Sequence, residues 1–324
     1  MIAHDRLHPF EFRAESLPSL GVAVSSDMLC LKKDEDSRNE TPEMKKKRKS
    51  VGLLTAFTPE IFRSEYFARI NAGIIDALRQ TEYDLKLIMV KDEAYADPSE
   101  KILEDHELDG LLLLTWRIHP RYIEEAMEGS PLPVVLINDF TSGLKANIVH
   151  CNNKMGTTLA LHHLISKGYR KIGMLQGPDE DSLDARERYQ VYRDLLVENG
   201  LTFEPAHYRK CDYFFEEDGY LKMMDMIHAG SLPRAVVCFN DDIAIGAIRA
   251  LKESWIKCPE EVAVIGYDGI ERGKHLNPPL TTVRQPLERM GREMVSMMIR
   301  LMENREKGSI QKEFSPELVI RQSC

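Results

Sequence analysis

The chain has 324 residues, with 43 Lys plus Arg against 52 Asp plus Glu (43 − 52 = −9), 43% hydrophobic and 29% charged residues. That length suffices for two domains or one bilobed α/β unit with a well-buried core, and the composition excludes disorder over most of the chain. The acidic balance excludes an overall cationic surface built to neutralise phosphates, and no apolar run approaches the ~20 residues of a membrane helix.

Residues 1–50 show no sustained hydrophobic period. Positions 32–50, KKDEDSRNETPEMKKKRKS, read as a flexible tether. The first 50 residues hold 10 basic and 9 acidic side chains, net +1, which leaves −10 for the remainder. The opening MIAHDRLHPFEF lacks a cationic start followed by an apolar core, so secretion is not indicated and a cytoplasmic protein is expected. From residue 51, short apolar runs alternate with helix-period segments, the pattern of parallel βαβ units. Strands are predicted over 51–55, 85–90, 111–114, 134–137, 171–175, 235–239 and 262–266. Their near-continuous Val, Ile and Leu content implies a sheet covered by helices on both faces.

Between the strands lie amphipathic helices. The spacing over 65–80 places Phe67, Ile70, Ile74 and Leu78 on one face. Helices over 154–167 and 185–199 end at Gly168 and Gly200, residues suited to C-terminal caps, and 241–253 turns Ile248 and Leu251 inward. A last helix over 286–304 carries a stripe of Met290, Met294, Met297 and Leu301, read as core, with a subunit contact as the secondary reading. About four βα units precede residue 150 and at least three follow it, a load for two sheets.

Catalytic signatures are absent: there is no G-x-S-x-G, no H-E-x-x-H and no G-x-G-x-x-G after a strand. The run from Gly269 to His275 has one residue too few between its glycines to be a phosphate loop, and His275 stands where a hydroxyl is needed. The six cysteines form no C-x-x-C pair, and Cys151 and Cys238 read as buried free thiols. No metal, cofactor or catalytic group is expected.

What remains is a set of polar and aromatic residues at the carboxyl ends of predicted strands, where open α/β sheets bind small molecules. Asn240 and Asp241 follow 235–239, Asp268 follows 262–266, Asn138 and Asp139 follow 134–137, and Arg188 lies near the start of the helix after 171–175. Carboxylates, amides and a guanidinium fork suit a polyhydroxylated ligand, and Tyr66, Phe67, Phe214 and Trp116 offer apolar faces for its ring. Plainer readings stand beside these. Asp241 is equally explained as a helix cap. Arg188 can pair with Asp184 or Glu187 on an exposed face, and Tyr66 and Phe67 can be core.

Residues 50–324 resemble the effector-binding region of the LacI/GalR repressor family, itself similar to bacterial sugar-binding proteins. The stretch 235–251, AVVCFNDDIAIGAIRAL, resembles the family's N-D-x-x-A-x-G-x-x-x-A-L element, and 258–268, CPEEVAVIGYD, its P-x-D-V-x-V-x-G-x-D element. PPLTTVRQPLERMG at 278–291, the ending ELVIRQSC, and NKMGTTLALHHLISKGYRKIGMLQG at 153–177 match in the same order. The resemblance implies two similar doubly wound parallel-sheet lobes joined by crossing strands. Lobe 1 is expected at about 51–150 plus 284–312, and lobe 2 at about 151–283 plus 313–324. It further implies a homodimeric, non-enzymatic transcription regulator whose lobes close over a sugar or related metabolite. By position, Arg188 matches the arginine of R-x-x-G-[FYW], with Val191 in place of glycine, while Asn240 and Asp268 match effector-binding positions. Phe214, five residues before Gly219, matches an aromatic that packs on the effector. Asn138 and Asn152 stand where the family more often has Asp, and Gly269 replaces a common second Asp.

Residues 1–50 depart from that family. They contain no helix-turn-helix pattern and no hinge-helix sequence, and the basic run KKKRK at 45–49 supports only weak, non-specific phosphate contact. Operator DNA is therefore expected as a partner only if an N-terminal DNA-binding element exists. A sugar-binding solute receptor and a stand-alone sensor without DNA binding are the alternatives, and an enzyme using Asp268 as a base ranks behind them. Hexose, pentose and nucleobase remain open as effectors.

Overall fold

The computed structural model describes residues 49–56, 59–90, 107–114, 132–138, 146–180, 182–305 and 309–324. These lie in one unit, Lys47–Cys324. The expected tether before residue 49, and Trp116 and Asp139, fall outside the described residues. Each predicted strand forms, with ends shifted by at most two residues: β1 Ser50–Ala56, β2 Asp84–Val90, β3 Gly110–Leu114, β4 Val134–Ile137, β6 Ile172–Gln176, β8 Ala235–Cys238 and β9 Ala263–Asp268. Five further strands were not predicted: β5 Asn147–Cys151, β7 Tyr208–Lys210, β10 Thr281–Arg284, β11 Gln311–Phe314 and β12 Glu317–Val319. They are short and mixed in polarity because they lie at or next to sheet edges, where one face or one flank meets solvent.

Two sheets of six described strands result, in the orders β11-β5-β4-β3-β1-β2 and β12-β10-β9-β8-β6-β7. The second order repeats the first, strand for strand. All pairs are parallel except the β10–β12 pair. The central strands β3, β4, β8 and β9 are buried along their whole length, as the apolar character of β3, β4, β8 and the first residues of β9 requires. The helices are α1 Pro59–Arg63, α2 Glu65–Leu78, α3 Asn153–Ser166, α4 Leu183–Glu198, α5 Glu216–His228, α6 Asp241–Glu253 and α7 Leu287–Met302. None of the described helices is long and apolar enough to cross a membrane.

The chain changes sheet three times: at Asn152, at 285–286 between β10 and α7, and at 315–316 between β11 and β12. Glu313 and Phe314, assigned to the second lobe from sequence, pair with His150 and Cys151 of β5 in the first sheet. β1 likewise begins one residue before the expected boundary, because Ser50 pairs with Asp84. The methionines of α7 are core: Met290, Met294, Met297 and Met298 are completely buried against α2 and the first sheet. Cys151 and Cys238 are buried free thiols.

The same close helix crossing stabilises each lobe. A Cβ on Gly291 of α7 would sit 2.2 Å from the Ile70 carbonyl of α2, and one on Gly246 of α6 would sit 1.9 Å from the Glu216 carbonyl of α5. Only glycine permits such contact of helix backbones.

Five described helices end in one hydrogen-bonded pattern, in which the residue after the cap adopts positive φ and the next N–H reaches back six residues in count to a carbonyl. Gly168, Gly200 and Gly230 occupy that place in three helices and Asn304 in a fourth. In α6 it is Trp255, with φ 60°, its N–H bonded to Lys252 and that of Ile256 to Leu251, and the side chain is 92% exposed. Since the indole packs on little, Trp255→Gly is expected to stabilise the chain by about 0.5–1 kcal/mol in chemical denaturation. A loss of stability would show that the ring has a packing role.

Candidate functional site

The carboxyl ends of the two sheets face a shared hollow with about 840 Å³ of empty space, including its open mouth. Seven of the residues singled out from sequence line it: Tyr66, Phe67 and Asn138 from the first lobe, and Arg188, Phe214, Asn240 and Asp268 from the second. Asp241 does not. It is completely buried beside the hollow, accepting from the Thr282 hydroxyl at 2.6 Å and from the Ile270 N–H at 2.8 Å. The cap of α6 is Asn240 instead, whose Oδ1 accepts from Ile243 N–H at 2.8 Å while its Nδ2 donates to the Phe214 carbonyl at 2.9 Å.

Arg188 is not on an exposed helix face. It is 4% exposed, donating Nε to Asn153 Oδ1 at 2.9 Å and Nη1 to the Phe239 carbonyl at 2.7 Å. Its guanidinium lies 3.5 Å from the centroid of Tyr267 and 4.5 Å from that of Phe239, a fixed cation–π stack. Asp184 and Glu187, the partners a surface reading assigned to it, accept instead from Asn153 Nδ2, at 2.8 and 2.9 Å. Buried Asn153 thus ties half-buried Asp184, exposed Glu187 and the buried arginine into one array that holds the guanidinium at the hollow.

Asp268 ends β9 with φ 108°, and Asn138 follows β4 with φ 60°. β4 and β9 hold equivalent places in the two sheets, so these positive-φ residues are counterparts facing each other across the hollow. Backbone strain at non-glycine residues is characteristically retained at ligand sites. Asn138 Nδ2 donates to the Tyr66 hydroxyl at 2.9 Å, which fixes the phenol at the wall. Tyr66 and Phe67 meet edge to face, and Phe67 also reaches the core, so for it the structural and the wall reading both hold.

Sequence reasoning missed Gln285, Asp242, Ser182, Phe215 and Phe239, which also line the hollow. Gln285 stands on the second crossing and donates Nε2 to Asp268 Oδ1 at 2.7 Å, linking the strap between lobes to the site. Its neighbours in sequence gave no sign of this, since only the topology brings 285 to 268. Among the described residues no group of three His, Cys, Asp or Glu side chains is placed to hold a metal.

Burial pushes the Asp268 carboxyl up to about 7, against the opposing pull of Arg188 and the Gln285 hydrogen bond. Burial likewise raises Asp242 to about 6 despite Arg272. In the unfolded chain an aspartate ionises near 3.9. Between about pH 4 and 7 the folded state therefore holds a proton that the unfolded state has released, so stability falls as pH rises through that window. Burial raises Asp241 as well, so chemical denaturation of the unliganded chain is expected to lose at least about 3 kcal/mol from pH 5 to pH 8, and Asp268→Asn to make that slope shallower without abolishing it. An equal slope in both proteins would place the titration elsewhere.

Residues 161–324 match the periplasmic binding protein-like domain. The HTH-type transcriptional repressor CytR of Escherichia coli K12 is 30% identical over 281 residues, 86% of this chain and 80% of that one. The solved structure of the transcriptional regulator CelR in its cellobiose complex is similar with a TM-score of 0.76 at 26% identity, over 85% of this chain and 84% of that one. The lac repressor dimer bound to operator and the anti-inducer ONPF shares the fold, with a TM-score of 0.75 at 23% identity over 86% and 82% of the two chains.

Proposed function

The chain belongs to the LacI/GalR family of transcriptional regulators, and from that premise we propose that it senses a small ring-shaped metabolite held between its two lobes and reports occupancy by lobe closure. The observation that carries this reading is the shared hollow: a buried guanidinium and a buried carboxylate, Arg188 and Asp268, line the same cavity as Tyr66, Phe67 and Asn138 of the opposite lobe. Donors, acceptors and aromatic faces converge there, as binding of a hydroxylated ring requires. A ligand touching both lobes is fully engaged only when they are closed, so binding shifts the population toward the closed form. The named relatives include a repressor, a cellobiose-bound regulator and an operator-bound dimer, which supports a sugar or related metabolite as effector, a cytoplasmic homodimer as the working form and operator DNA as its output.

In this reading Arg188 and Asp268 grip hydroxyls, Asn240 and Asn138 orient the ring, and Phe214, Tyr66 and Phe67 cover its faces. Calorimetry with a panel of free sugars and nucleosides tests it. A ligand that binds the native chain is expected to lose most of its affinity in Asp268→Ala. Equal affinity in both proteins would remove the site assignment.

A further inference from the structure

The hollow also carries a sign of charge. Among the described residues that line it, Arg188 is the one cation, against Asp184 and Asp242, with Asp268 joining them as pH rises past about 7. The guanidinium is already engaged by Asn153 and the Phe239 carbonyl and stacked on two rings. Two helices, α4 and α6, present their first turns to the hollow through Ser182, Asp184, Asn240 and Asp242. Free N–H groups at such a place ordinarily attract phosphates and other anions. Here the chain has filled both places itself. Ser182 Oγ accepts from Ala185 N–H at 3.2 Å, Asn240 Oδ1 accepts from Ile243 N–H, and each first turn adds a carboxylate.

Asp242 extends this arrangement to the mouth. Its Oδ1 accepts from Arg272 Nη1 at 3.0 Å, but the same arginine donates Nη2 to Glu216 at 2.6 Å. Glu216 and Glu217 share Arg249, and Glu65 receives the backbone N–H groups of Glu271 and Arg272. Asp242 at the wall is thus joined to Glu216 and Glu217 through Arg272 and Arg249, while Glu65 stands beside Arg69, so these four carboxylates share three guanidiniums. A small anion approaching this mouth meets like charge within a Debye length, with low-dielectric walls to sustain it.

We propose that the effector carries no negative charge, and that Asp242, backed by Asp184, is the specificity residue that turns phosphorylated molecules away. The ligand class is a neutral or cationic ring compound, rich in hydrogen-bond donors for the carboxylates and with a flat face for the aromatic wall. Free glycosides and nucleosides share that chemistry. The inference rests on the proposed effector site and adds to it a charge rule.

The test is calorimetry at fixed ionic strength on the full chain with matched pairs: glucose and glucose 6-phosphate, ribose and ribose 5-phosphate, adenosine and AMP, cellobiose and cellobiose 6-phosphate. The proteins compared are the native chain, Asp242→Asn and Arg188→Ala. In the native chain a neutral member is expected to bind at least about tenfold more tightly than its phosphorylated partner. Asp242→Asn is expected to close that gap about tenfold, read as the ratio of the two affinities in each matched pair. The pair that responds separates the glycoside from the nucleoside source. A phosphorylated member that binds as tightly as its partner, and loses that binding in Arg188→Ala, overturns the charge rule and leaves the site standing. Binding indifferent to Arg188→Ala, or no binding by any neutral member, overturns both.

Discussion

Replacing Arg188 by alanine is expected to weaken effector binding on the order of a hundredfold and to destabilise the second lobe by about 3 kcal/mol. Both effects follow from one side chain with two duties. At 4% exposure, its removal leaves the Asn153 Oδ1 and the Phe239 carbonyl without their donor, and opens a gap between the rings of Tyr267 and Phe239. An orphaned buried acceptor costs about 1–3 kcal/mol, and the lost stack adds to it. The binding effect is separable from the folding effect by Arg188→Lys. A lysine keeps the charge but not the planar fork that donates to Asn153 and Phe239 while presenting a further edge to the hollow. Arg188→Lys is expected to fold with a smaller stability loss yet still bind at least about tenfold more weakly. Denaturation and calorimetry on the three proteins check this. A lysine variant with native affinity would show that the cation alone matters and that the fork is structural.

The double substitution Glu65→Ala with Arg69→Ala is expected to lower apparent effector affinity about tenfold without touching the wall of the hollow. Both residues lie in α2 of the first lobe and clasp the second. Arg69 Nη1 donates to the Gly269 carbonyl at 3.0 Å, while its Nε and Nη2 are braced on Glu288 at 2.7 and 3.0 Å. Glu65 accepts from the backbone N–H groups of Glu271 and, at 3.3 Å, Arg272. These contacts exist only when the lobes are together, so they favour the closed form before any ligand arrives. Removing them makes the ligand supply that closure from its own binding energy, and affinity falls by the fraction of closed molecules lost. Lobe separation in the unliganded double variant is expected to widen. Unchanged affinity and unchanged separation would show that the clasp is incidental.

Much of the site was legible because strand ends in such sheets are legible. Asn240, Asp268 and Asn138 were found simply by following apolar runs to their last residue. The environment of Arg188 was not, since Asp184 and Glu187 beside it suggest a solvated helix face. The rings that enclose it come from β9 and the end of β8, 79 and 51 positions away. Asn240 rather than Asp241 is the cap for a geometric reason: the cap must be the last residue with extended backbone, and Asn240 has φ −141° and ψ 176°. Gln285 and Glu65 stayed invisible because their partners are set by how the chain crosses between lobes, which periodicity does not encode. The edge strands were missed for a related cause, since a strand such as β11, QKEF, is defined by its neighbour and not by its own apolarity.

The central claim is that occupancy and lobe closure are one equilibrium. Nitroxides attached through unnatural residues at the exposed positions Leu87 of β2 and Val197 of α4 place one label on each lobe, and their separation can be read by pulsed electron resonance. Titration with a ligand that binds the native chain is expected to shorten and narrow the distance distribution, with the midpoint found by calorimetry, and to leave the Arg188→Ala protein unchanged at the same concentrations. Saturated binding with an unaltered distribution would contradict the account.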